Sequence, residues 1–146
     1  MLEKKKRMEL LKYAKKNNIP GINNKTTKDD MLRKISEYQI LQKRDQIRND
    51  LLDQLERNGI VGEFYVDLIN DYMAMWDVKN KLIADIETKG VSIRYQNGEN
   101  QWGYKKNDSV GELQRTNNQM LRILDHLGLK PSKADTENVD PTDLEM

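Results

Sequence analysis

Cysteine is missing from this 146-residue chain. Its absence excludes disulfides, thiol nucleophiles and zinc–thiolate sites together, and fits a reducing compartment. Long apolar runs are missing too: none approaches the roughly 20 residues that a membrane-spanning helix needs. The basic start, Met1-Leu2-Glu3-Lys4-Lys5-Lys6-Arg7, has no apolar stretch behind it and does not read as a secretory signal. A soluble, intracellular protein with no membrane partner is the expectation. Phosphate-loop, dinucleotide-binding and nucleophile-elbow patterns are also absent. Histidine occurs once, as His126 near the end of the last helix, where the helix dipole favours a cation. Asp67 and Asp71, with Asn70 between them, read as a solvated helix face, because no third carboxylate of fitting spacing joins them. No catalytic residue, metal site or cofactor is expected.

Apolar residues are scarce, at 36%, while charged residues make up 34%. A monomeric core would be thin, so helices that bury one stripe against a partner chain suit this composition. The net charge of +1 hides an uneven distribution: residues 1–50 hold 14 Lys+Arg against 7 Asp+Glu, and the remaining residues 11 against 17. A basic head on an acidic body is expected where one end meets a polyanion.

The periodicity predicts a mainly α protein with one β-hairpin. Residues 3–17 read as a helix with Met8, Leu11 and Ala14 on one stripe and Leu10 widening it. It stops at Asn17-Asn18-Ile19-Pro20-Gly21, since proline lacks an amide hydrogen and Gly21 admits positive φ. A second helix starts at Lys28 behind the N-cap Thr27, burying Met31, Leu32 and Ile35. A third is expected from about Ile40, through Ile47, Leu51 and Leu55 with Leu52 alongside, to Asn58-Gly59. The longest, 63–89, places Tyr65, Ile69, Tyr72, Trp76, Ile83 and Ile86 on a seam interrupted by Lys79. Alternation in 91–95 and 101–104 about Asn97-Gly98 predicts a hairpin over 91–104. The final helix, capped by Asp108 or Ser109, carries Val110, Leu113, Met120, Leu124 and Leu127, with Asn117 as the polar exception; Gly128 and Pro131 end it. Residues 132–146, with five acidic residues and one basic, read as a disordered acidic tail.

Residues 8–35 resemble the helix–extended loop–helix modules of the SAP and HeH type, and the small N-terminal module of transcription terminator Rho. Leu10, Leu11, Ala14, Ile19, Ile22, Leu32 and Ile35 match the hydrophobic positions, and Thr27-Lys28 the start of the second helix. Such modules commonly bind nucleic acid. The residues fit that use: Lys12, Lys15 and Lys16 lie on one helix, and Lys25 and Lys28 at the mouth of the next, where helix amides can take a phosphate. With Arg33, and with Lys4, Lys5, Lys6 and Arg7 as a flexible basic arm, these are the candidate DNA contacts. Tyr13 is the only aromatic before Tyr38, so no base-stacking platform is evident in the head.

Residues 45–131 resemble the small terminase subunit family of tailed phages. The match lies in the helix carrying Tyr72 and Trp76, the turn at Gly90, the Asn97-Gly98 hairpin, and a last helix running into Leu127-Gly128-Leu129-Lys130-Pro131. Where family members often have Asn-Pro before that helix, this chain has Asn107-Asp108-Ser109-Val110. The resemblance implies a non-catalytic subunit that assembles with itself into a ring, recognises double-stranded viral DNA and presents it to the large subunit, an ATPase and nuclease. It implies a phage-encoded protein working in the host cytoplasm. Three parts are expected: a DNA-binding module over 1–38, a helical oligomerisation core over 40–131, and the tail over 132–146. Tyr65, Ile69, Tyr72, Trp76, Ile83, Leu113, Leu121 and Leu124 are the candidate core and oligomerisation residues, with Tyr72, Trp76, Leu121 and Leu124 packing within a subunit. The competing readings are a dimeric SAP/HeH-type DNA-binding regulator unrelated to packaging, and a scaffold protein whose lysines have no specific role.

Overall fold

A computed structural model describes residues 2–130, which divide into two compact units between Asp50 and Leu51. In chain order the elements are a single 3-10 turn at Leu2–Lys4, α1 (Arg7–Lys16), α2 (Lys28–Arg57), α3 (Glu63–Lys89), β1 (Ser92–Gln96), β2 (Trp102–Lys106) and α4 (Asp108–His126). The mainly α architecture with one antiparallel hairpin agrees with the sequence pattern. Pro131 and the acidic segment 132–146 lie outside the described residues.

The first unit is built on six buried residues, Leu10, Leu11, Ala14, Ile19, Met31 and Ile35, with Leu2, Tyr13, Ile22, Leu32 and Tyr38 packed around them. Met8, expected on this stripe, is instead 60% exposed, because the buried face of α1 is centred on Leu10, Leu11 and Ala14. α1 ends at Lys16, before the proline is reached. Asn18 adopts φ 53, its amide bonds to Lys15 O (3.2 Å), and the Ile19 amide reaches back to Ala14 O (3.0 Å). That pair of bonds is a Schellman closure, with asparagine in the left-handed position that glycine usually fills. Thr27 caps α2 as expected, its hydroxyl accepting from the Asp30 amide at 3.2 Å.

The two helices expected over 28–37 and from 40 are one. α2 runs for 30 residues, about 45 Å at 1.5 Å per residue, because nothing between Tyr38 and Leu41 breaks it: no proline, no glycine and no capping residue. No residue from 36 to 50 on it is buried. Ile40 and Leu41 stand exposed at 49% and 59%, so the stripe expected from Ile40 is packed only at its far end, at Leu51 and Leu55.

In the second unit α3 packs against α4. Ile69, Met73 and Trp76 are buried on α3, Met120 and Ile123 on α4, with Leu127 just beyond, and Leu51 and Leu55 are buried at the end of α2. The two seams therefore lie on helices that cover one another within the subunit. Met73 and Ile123 were missed in the seams read from sequence, yet each stands three or four residues from a seam member. A globular helix buries a broader stripe than a coiled-coil seam. Leu121 corrects the expectation in the other direction. It is 54% exposed, one residue and so about 100° around the helix from buried Met120. It faces mostly outward.

Helices α2 and α4 end by the same Schellman closure. Gly59 (φ 69) and Gly128 (φ 65) hold the left-handed position, and the next amides return to Leu55 O and Leu124 O at 2.9 and 3.1 Å. In Leu127-Gly128-Leu129 the first leucine is fully buried and the second half-buried, so the closure folds both back toward α4. Nothing lies within 4 Å of an added Cβ at Gly128, so only backbone strain opposes substitution there. Gly128→Ala is expected to destabilise by about 1–2 kcal/mol, whereas Asn18→Gly, which removes the same strain, should be neutral or slightly stabilising. Urea unfolding of both variants checks the pair. Trp76→Ala should cost about 3–5 kcal/mol, the usual range for deleting a buried aromatic ring.

Candidate nucleic-acid interface

Several residues of the basic head have partners within it. Leu2 packs against the head core, and the Lys6 amide donates to Glu9 Oε2 (3.1 Å), which closes the start of α1. Arg7 donates through Nε to Thr26 O (3.1 Å) and through its guanidinium to Asn24 O, tying α1 to the 23–27 loop. Lys28 Nζ donates to Glu3 O at 2.9 Å, and Lys5 sits 5.4 Å from the Tyr13 ring centroid. Arg33 pairs with Asp30 and Glu37 on its own helix. Four of the candidate contacts, Lys5, Arg7, Lys28 and Arg33, thus have partners inside the head. Lys4, Lys6, Lys12, Lys15, Lys16 and Lys25 are exposed.

These exposed lysines do not form one cluster. Lys25 lies in the loop that Arg7 ties to the first turn of α1, while Lys15 and Lys16 occupy the last turn of α1, about 13 Å further along. Lys12, Lys15 and Lys16, at steps of three and four, share one face of that helix. The loop is internally bonded. Asn23 Oδ1 accepts from the Lys25 amide (2.8 Å), and Thr26 Oγ1 accepts from the Asn23 amide (3.0 Å). Thr27 takes the Asp30 amide with its hydroxyl and the Met31 amide with its carbonyl. One of the otherwise unpaired first amides of α2, that of Asp30, is therefore occupied, and Asp29 and Asp30 put negative charge beside the others.

Elsewhere the candidate core residues divide by burial. Ile69 and Trp76 are buried; Tyr65, Tyr72, Ile83, Leu113 and Leu124 are half-buried; Leu121 is exposed. Burial pushes the Tyr72 hydroxyl pKa above its ordinary value of 10.0. Among the described residues no group of three His, Cys, Asp or Glu is placed to hold a metal ion. No described helix is long and apolar enough to cross a membrane.

The hairpin differs from expectation in its turn. β1 pairs with β2 from Ser92↔Lys106 to Gln96↔Trp102, leaving a five-residue connection, Asn97–Gln101, closed by the Asn97 amide on Gln101 O (2.6 Å). The longer turn extends the strand through Lys105 and Lys106. Of the ten strand residues only Ile93 and Gly103 are even half-buried. The ribbon is held by its own side chains: the Tyr95 ring lies over Gly103, Arg94 sits 4.9 Å from the Trp102 ring centroid, and Trp102 meets Tyr104 edge to face. This constellation was legible in the run from Arg94 to Lys106, but alternation alone did not distinguish a ribbon exposed on both faces from one packed on the core.

A polar junction fixes the base of the ribbon. Asn107, 2% exposed, is the N-cap of α4, in place of the expected Asp108 or Ser109; its Oδ1 accepts from the Ser109 amide at 3.0 Å. Its Nδ2 donates to Gly90 O (2.9 Å) and Asp85 Oδ2 (3.2 Å), and its amide donates to Val91 O (2.8 Å). Ser109 Oγ donates to the same Asp85 oxygen at 2.7 Å, and Lys89 Nζ lies 2.7 Å from the other. Lys89 first, then Ser109 and Asn107, lower the Asp85 pKa from 3.8 to about 2. One carboxylate and one amide thus join the end of α3, the ribbon and the start of α4.

The described residues form a mainly helical protein with a packed α3–α4 pair, a basic helical head and an exposed ribbon. A sequence model of the phage terminase small subunit family matches residues 45–143. The chain belongs to that family, whose part is in phage genome packaging. The match begins within α2 and covers α3, the ribbon and α4; residues 1–44 lie outside it. No curated protein and no solved structure matches the chain.

The junction generates two expectations. Asn107→Ala removes a cap and two further side-chain bonds and should destabilise by about 1–3 kcal/mol. The Asp85 carboxyl is depressed in the folded state, so its contribution is present above the unfolded pKa and lost as pH falls through the folded one. Asp85→Asn should therefore lower the melting temperature at pH 7, with the difference from the native chain shrinking between about pH 4 and pH 2. A series of thermal melts across that range measures it.

Proposed function

We propose that this chain is the non-catalytic, DNA-recognising subunit of a phage packaging motor, which assembles with copies of itself and presents double-stranded viral DNA to the large ATPase and nuclease subunit. The family match over 45–143 supports the packaging role. The observation that carries the DNA contact is the lysine face of α1: Lys12, Lys15 and Lys16 are exposed together on a helix whose opposite face, Leu10, Leu11 and Ala14, is buried. Lys4, Lys6 and Lys25 add charge at the other end of that helix. Lys28, Arg7 and Arg33 contribute field while holding internal partners.

Three lysines give one head only weak, salt-sensitive affinity. A ring of such heads would act together, and the effective concentration of each after the first contact would supply the affinity that one head lacks. Within the subunit α3 and α4 already cover one another, so self-association would use the surfaces they leave outward, where Phe64, Val78 and Leu121 are exposed. The separation of a DNA-binding head over 1–38 from an assembly core over 40–131 is part of the same proposal.

Deletion at residue 38 would sever α2, so the head is best tested by charge substitution in the full chain. Lys12→Gln/Lys15→Gln/Lys16→Gln is expected to weaken binding of a mixed-sequence duplex and lower the slope of log affinity against log salt by about 2–3. Its native mass spectrum should match that of the unaltered protein. An unchanged salt slope would remove the head from the DNA contact. A monomer or dimer at every working concentration would instead remove the ring and favour a dimeric DNA-binding regulator.

A further inference from the structure

The ribbon is the basic part of an acidic unit. Residues 91–106 hold three Lys or Arg and a single acidic residue, Glu99, whereas residues 51–146 as a whole hold 11 basic against 17 acidic. Successive strand residues alternate between faces. The register therefore gathers Ser92, Arg94, Gln96, Trp102, Tyr104 and Lys106 on one side. That face presents two cations, two aromatic rings, a hydroxyl and an amide, without a carboxylate. It is also uncovered: Trp102 is 58% exposed and Tyr104 69%. A two-stranded ribbon gains little stability by itself. Aromatic side chains held in water on such an element have a use outside the subunit.

We infer that this face of the ribbon is a second DNA contact, with Arg94 and Lys106 meeting phosphates of a duplex and the ribbon lying along a groove. Charge complementarity selects the occupant. The geometry of Arg94 refines the choice: its guanidinium sits 4.9 Å from the Trp102 ring centroid, so one face of the indole is already taken. The ring seats a cation rather than offering both faces to a base, which favours phosphate contact over base stacking. A projecting two-stranded ribbon has the width that the major groove of B-form DNA admits. An extended acidic peptide would need a groove on the protein, and the ribbon is a ridge. The inference rests on the reading that this protein holds DNA, and not on the head being where it does so.

The test uses the full chain with Arg94→Gln/Lys106→Gln, and fluorescence anisotropy of a short mixed-sequence duplex over a salt series. Arg94→Gln removes the contact with Trp102 and so loosens the exposed ribbon, but it touches no buried residue, and the thermal melt should fall only slightly. The expected result is at least about tenfold weaker binding at low salt and a slope lower by about 2, near 0.9 for each phosphate contact removed. Trp102→Ala, which keeps both cations but removes the seat of Arg94, should weaken binding severalfold with the slope largely kept. An unchanged affinity and slope in the double variant overturns the inference. So does unchanged DNA binding with an altered native mass, which would make the ribbon a contact between protein chains. Set beside the α1 lysine variant, the results separate the two sites: a loss only with Arg94→Gln/Lys106→Gln supports the ribbon against the head, and a loss only with the α1 variant does the reverse.

Discussion

A buried amide that must be satisfied organises the second unit. Asn107 lies almost out of reach of water, and an unpaired amide there would carry the full desolvation penalty of its donors and acceptor. Its side chain meets that requirement three ways, toward the Ser109 amide, Gly90 O and the Asp85 carboxylate. Each partner belongs to a different piece of chain: the start of α4, the residue closing α3, and the last turns of α3. Apolar packing between α3 and α4 supplies most of the stabilisation, but it is non-directional. The Asn107 bonds are directional, so they set where α4 departs and from which point the ribbon projects.

The ribbon is consequently free to be exposed. With its base fixed by Asn107, the Val91 carbonyl and the Asp85 network, it need not bury a face against the helices to stay attached. Arg94, Trp102, Tyr104 and Tyr95 hold its cross-strand geometry from within. The head follows a similar economy. Arg7 and Lys28, two of its cations, hold backbone carbonyls of the 23–27 loop and of the first turn, and the outward face of α1 keeps Lys12, Lys15 and Lys16. In both places some charges are structural and their neighbours are presented to solvent.

Much of this was legible beforehand. The helix termini were marked by Thr27, Asn58-Gly59 and Leu127-Gly128-Leu129, because capping and left-handed closure are local chemistry that needs no tertiary partner. The family resemblance lay in those same local signals, and the match over 45–143 agrees with it. Less legible was which apolar residues would be covered. Met8, Ile40 and Leu121 fit helical stripes as well as Met73 and Ile123 do, yet the first three are exposed and the last two buried. Periodicity gives the direction of a side chain around its helix. It does not say whether another element lies in that direction.

The sequence by itself determined the mainly helical content, the closures at Asn58-Gly59 and Leu127-Gly128-Leu129, the presence of a hairpin and the basic character of the head, since each rests on interactions within a few residues; the unbroken run 28–57 was in it too, for its expected junction holds no helix breaker. Tertiary structure alone decided the rest. It chose Asn107 over Asp108 and Ser109 as the cap, because only Asn107 also meets Gly90 and Asp85, more than fifteen residues back along the chain. It separated cations with internal partners from those facing solvent, a distinction made by carbonyls and carboxylates distant in sequence. Composition could count the charges of this chain, but only the fold could place them.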